Sequence, residues 1–124
     1  MPKPIPFNFV IENLFAAQPV VKPMFGAHAI YIRDKIVLIL RDKNDEDSGV
    51  WIATSPEHHK SLKKDFPPMR SIKVFGTGES SWQVLPKEDD DFEMLVNRLC
   101  DFILKGDIRI GKVPKPKKKK VKIK

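Results

Sequence analysis

The hydrophobic pattern of this chain is organised around one stretch, Met24 to Arg41, which reads MFGAHAIYIR-DK-IVLILR. Two apolar runs separated by Asp34-Lys35 leave the gap that a tight β-hairpin uses. With that turn Ile32 faces Val37, Tyr31 faces Leu38, Ile30 faces Ile39 and Ala29 faces Leu40, so apolar side chains meet across the pair. Ile36 to Leu40 is apolar on both faces, whereas a half-exposed antiparallel strand alternates. The far face is therefore expected to be covered either by the chain's own loops or by a second subunit in a homodimer.

The flanking elements follow from spacing and punctuation. Asn8 can cap a helix carrying Ile11, Leu14 and Phe15, which Pro19 stops after Ala17, and Gln18 to Pro23 reads as an extended connector. Val50 to Thr54 predicts a third strand, with Val50, Ile52 and Thr54 on one face and Trp51 and Ala53 on the other. Ser55-Pro56-Glu57 opens a short helix to about Asp65, with Leu62 and Phe66 as its apolar contacts. Met69 to Phe75, with Ile72 and Val74 on one face, and Ser81 to Leu85 predict two further strands. From Glu88 to Leu104 the residues Phe92, Leu95, Val96, Leu99, Phe102 and Ile103 recur at helical spacing. Acids crowd the first turn of that helix, and Gly106 suits a left-handed cap. Ile108 and Ile110 can then fasten a strap to apolar surface. The order α-β-β-β-α-β-β-α, with short connections, predicts an α+β fold of two layers, a five-stranded antiparallel sheet with its helices on one face.

Composition narrows this to one domain over residues 1–113 and a lysine-rich tail over 114–124, expected to be extended and mobile. No apolar run approaches the roughly 20 residues of a membrane span, and the N-terminus lacks a signal-like pattern, so no membrane contact and a cytoplasmic protein are expected. The single Cys100 cannot form an internal disulfide. The net charge of +7 is unevenly placed, because residues 1–111 hold 15 basic and 16 acidic groups while eight lysines and no acid follow. The excess belongs to Lys112 and to Lys115, Lys117, Lys118, Lys119, Lys120, Lys122 and Lys124. These make weak, non-specific contact with nucleic acid or another polyanion the expected use of the tail.

Candidate chemistry is sparse. The acidic segment KNDEDSG lacks the alternate ligand spacing of a calcium loop and reads as a solvated turn. His58 and His59 are adjacent on a helix and point about 100° apart, a poor start for one metal ion. His28 reads as a packed, hydrogen-bonded strand residue and Cys100 as a small buried one. Gly76 and Gly78 form a bare GxG without the strand-then-helix context of a phosphate loop. No catalytic residue, cofactor site or metal site is assigned. Trp51 reads as core, leaving Trp82 and Tyr31 as the aromatic residues available for a partner surface.

Pro23-Met24-Phe25-Gly26, Ile30-Tyr31, Lys35, the strand around Trp51 and the acidic, leucine-bearing helix after Pro86 together resemble the N-terminal domain of the TfoX competence-regulator family. The resemblance covers roughly residues 7–105, and a looser similarity links the chain to the YjbR family, whose fold has been likened to DNA-binding domains. It implies an α-β(3)-α-β(2)-α fold and a small bacterial regulatory or binding module acting through protein or nucleic-acid contacts. It supplies no catalytic residue. Gly26-Ala27 stands where the family often has two glycines, the acidic loop is long, and the chain has no room for the C-terminal domain of full-length regulators. A homodimeric interaction scaffold is the alternative. A small enzyme, built from distant residues such as His28, His58 and Glu57, ranks third.

Overall fold

The computed structural model describes residues 5–74, 76 and 81–113, so the expected tail from Pro114 and the glycine loop at Gly78 lie outside the described residues. Its centre is an antiparallel sheet of six strands: β1 (Val20–Met24), β2 (Ala27–Ile32), β3 (Lys35–Arg41), β4 (Gly49–Ile52), β5 (Arg70–Ser71) and β6 (Gln83–Pro86). Their spatial order is β1-β2-β3-β4-β6-β5. The helices are α1 (Phe9–Asn13), α2 (His59–Asp65) and α3 (Phe92–Leu104), and none among the described residues is long and apolar enough to cross a membrane.

The α+β class and the antiparallel sheet match expectation, whereas the strand count does not. The added strand is β1, which occupies the stretch expected to be a connector. Phe25 and Gly26 both adopt left-handed backbone, with φ of 54° and 74°, and close a two-residue turn that sets Met24 opposite Ala27. A phenylalanine in that conformation gives no turn signal, so the sequence reads straight through it.

The β2–β3 register also differs. The turn is Arg33-Asp34, one residue earlier than expected, with Arg33 at φ 59°, and Ile32 lies opposite Lys35. Tyr31 faces Ile36, then the ladder shifts, so that Ile30 faces Leu38 and Ala29 faces Ile39. Val37 is the extra residue of this bulge, and both Val37 and Leu38 contribute to the same core. In an unbroken strand they would point to opposite faces.

The helices α1, α2 and α3 pack on one face of the sheet. Leu14, Leu62, Phe66, Leu95 and Leu99 meet Ile30, Leu38, Leu40, Val50 and Ile52 in one buried cluster. The other face has its own core, Ile36, Ile39, Trp51, Ala53, Ile72 and Val84, all buried by the chain itself. Of the two covers expected for that face, the chain's own loops are the one observed.

Asp47 pins this cover. Its carboxylate accepts the N–H groups of Lys73 at 2.8 Å and Val74 at 2.7 Å and Arg70 Nη1 at 3.1 Å, while its carbonyl accepts Trp51 Nε1 at 2.8 Å. Those bonds draw residues 73–74 to the acidic loop. The strand expected over Met69 to Phe75 is accordingly only Arg70–Ser71, and Ile72 is buried while Val74 is exposed. The acidic segment is not a solvated turn throughout, since Asp47 and Ser48 are buried. Gly49, at φ 147°, ends it, and a β-carbon there would lie 2.1 Å from the Leu85 carbonyl oxygen.

At the last helix Glu88 to Asp91 form a turn before α3 rather than its first turn, with Asp89 Oδ1 accepting the Asp91 N–H at 2.9 Å. The other end follows expectation. Gly106, at φ 81°, donates to Ile103 O and Asp107 to Phe102 O, each at 3.0 Å, which satisfies the terminal carbonyls.

Candidate functional site

Beyond Gly106 the chain returns to the sheet as a strap, and one arginine fixes its course. Arg109 donates to Asp107 Oδ2 at 2.7 Å, to Asp65 Oδ2 at 3.0 Å and to Ser61 Oγ at 2.7 Å, and its guanidinium lies 5.6 Å from the Phe102 ring centre. This guanidinium holds the Asp107 carboxyl below its ordinary pKa. Thr54 Oγ1 donates to Arg109 O at 2.7 Å. Ile110 is buried in the helix-side core, as expected, whereas Ile108 is 80% exposed and makes no such anchor.

The strap then joins the sheet. After β4 ends at Ile52, Ala53 N still donates to Val37 O, and Gly111 N donates to Ala53 O at 2.7 Å. Lys112 and Ile36 next exchange both backbone hydrogen bonds, each 2.9 Å. In an antiparallel bridge the residue before Ile36 lies beside the residue after Lys112, which sets Lys35 next to Val113. Gly111 lets this contact close, since a β-carbon there would stand 3.2 Å from Lys35 Cδ. The lysine-rich segment therefore begins at a fixed point, immediately beside the β2–β3 hairpin tip. Its members from Lys115 to Lys124 lie outside the described residues.

A groove of about 530 Å³ opens at the same end of the molecule. The 3₁₀ turn Phe15–Ala17, the start of β1, the hairpin tip and the end of α3 enclose it, with Ala17, Val20, Ile32, Val37, Ile103 and Leu104 as apolar lining and Arg33, Asp34 and Lys35 on its rim. Val20 and Leu104 are both exposed.

The other residues singled out from sequence do not converge here. Trp51 is fully buried, and Trp82 is half-buried with its ring centre 6.0 Å from that of Trp51. Tyr31 is half-buried against the same core, with Lys22 Nζ 5.1 Å from its ring centre. Three inter-strand steps separate β2 from β6, roughly 14 Å, so Tyr31 and Trp82 do not form one stacking platform. His58 lies 3.4 Å from Glu57, and His59 Nε2 lies 3.4 Å from Ser81 O, so the adjacent histidines engage different groups. His28 lies opposite Pro23 and Leu40, and its buried Nδ1 has no hydrogen-bond partner among the described residues, contrary to the expected hydrogen-bonded histidine. Cys100 is buried, which pushes its thiol up to about 11. Among the described residues no three His, Cys, Asp or Glu side chains gather as metal ligands.

Sequence reasoning missed Asp47 and Arg109, the two residues that tie remote segments together. A charged residue at low exposure has no local signature; only the segments brought to it reveal its role. Comparison of the chain with protein-family models, with curated proteins and with solved structures returned no match.

Proposed function

We propose that this chain is a binding module whose lysine arm holds nucleic acid through its phosphates, without reading sequence. The observation that carries the reading is the pairing of charge with anchorage. Eight lysines and no acid lie in residues 112–124, and the first of them is held to β3 by two backbone hydrogen bonds. A polycation on a fixed mount searches a smaller volume than one on a free end, and each lysine that neutralises a phosphate releases counterions. The TfoX resemblance stands beside this as a family expectation for a regulatory module and contributes no residue to the site.

The reading is tested by fluorescence anisotropy of the full chain with two duplexes of unrelated sequence across a salt series. Equal affinity for both is expected, with log affinity falling against log salt by about 0.9 per phosphate contact. Undetectable binding at low salt overturns the reading. Discrimination between the duplexes by about a thousandfold overturns its sequence indifference.

A further inference from the structure

With both sheet faces covered, the two sheet edges are where another chain could continue the fold by backbone pairing. β1 is one edge, and its register fixes the groups it offers. Met24 and Ala27 close the two-residue turn Phe25-Gly26 and exchange both backbone hydrogen bonds, so Lys22 and Val20 bond likewise to Ala29 and Tyr31 of β2. The alternate residues, Val21 and Pro23, turn their backbone groups away from the sheet. Proline has no N–H, so Pro23, which is exposed, presents a carbonyl alone. Pro19, one residue before β1, falls in the same alternate set and lacks the donor too. Val21 therefore holds the outward N–H of this edge between two prolines. The opposite edge, β5, is two residues long, and the Asp47 carboxylate takes the N–H groups of Lys73 and Val74 that would lengthen it.

We propose that Pro19 and Pro23 cap the β1 edge against pairing with a second copy of this chain, as the shortness of β5 does at the other edge. An antiparallel pair of β1 strands centred on Val21 sets Pro19 of one copy opposite Pro23 of the other, at both ends. The Val21 pair can exchange both of its bonds, and the proline pairs can exchange none. A cap matters here because Val20-Val21 favours strand pairing and Val20 is exposed.

Amide hydrogen exchange of the full chain, resolved residue by residue by NMR, reads the edge directly. The Val21 amide is expected to exchange like a solvent-exposed one at every protein concentration, with the Lys22 amide, bonded to Ala29, slower by at least about tenfold. Protection of Val21 at any concentration means that the edge is already occupied and overturns the cap. P19T/P23T returns both donors, and light scattering should read its mass rising to twice that of the parent as concentration increases. P67T, which removes an exposed proline after α2, should keep the parent mass. A folded P19T/P23T of parent mass overturns the proposal, as does a P67T that doubles. If the double variant does not fold, exchange at Val21 in the parent decides.

Discussion

The carboxylate of Asp47 and the indole of Trp51 hold one sheet face closed from two directions: the Asp47 carbonyl takes the indole N–H at 2.8 Å, and the Asp47 side chain takes the backbone of the segment beside it. Asp47→Ala removes the acceptor for three donors in a site where its side chain is 3% exposed. Loss of a buried charged acceptor should cost about 3 kcal/mol, with Asp47→Asn intermediate. Urea denaturation of both variants measures this, and an alanine midpoint equal to that of the parent would show that the latch is not needed.

Leu38 and Ile39 are neighbours in β3 and belong to different cores, Leu38 to the helix side and Ile39 to the far side. Both are fully buried. Each alanine substitution should therefore cost about 2–5 kcal/mol. A mild Ile39→Ala beside a severe Leu38→Ala would mean that the far-side cover is loose.

Much of this was legible in the chain. Fold class followed from apolar spacing, and the faces assigned to Trp51 in β4 and to Ala53 just after it were those observed. The left-handed cap at Gly106 was legible for the same reason, that glycine position and helical period are local signals. What escaped was non-local. The bulge at Val37 arises where β3 accommodates an early turn at Arg33, and no residue type marks it. Asp47 reads as one acid among several until residues 70–74 are folded back to meet it. The Ile36–Lys112 bridge joins positions far apart in sequence, so the charge run was visible but its mount was not.

Asp107 supplies an acid dependence. Arg109 lowers its native pKa below the ordinary 3.8, so near that value the unfolded chain binds more protons than the native one. The contribution is complete above the ordinary carboxyl range and is lost as pH falls through the lowered native value. Asp107→Asn should make stability less sensitive to pH over that interval, as followed by thermal melts between neutral and acid buffers. A parallel decline in variant and parent would contradict the assignment.

Cys100 should be silent to thiol reagents. Burial raises its thiol to about 11, so little thiolate exists at about pH 8 and access is blocked. Labelling should be negligible in the native protein and complete in denaturant, by mass spectrometry. Rapid native labelling would place Cys100 at the surface.

The central claim is that an anchored lysine arm gives this chain its affinity for nucleic acid, and truncation after Val113 tests it most directly. The truncated chain keeps Lys112 and its bridge to Ile36 while losing seven of the eight lysines in residues 112–124. Duplex binding at low salt should fall below detection, because the 16 basic groups left in residues 1–113 are balanced by 16 acidic ones. The denaturation midpoint should not move. Retention of the full-chain affinity and salt slope after truncation would contradict the account and place the binding site on the folded body.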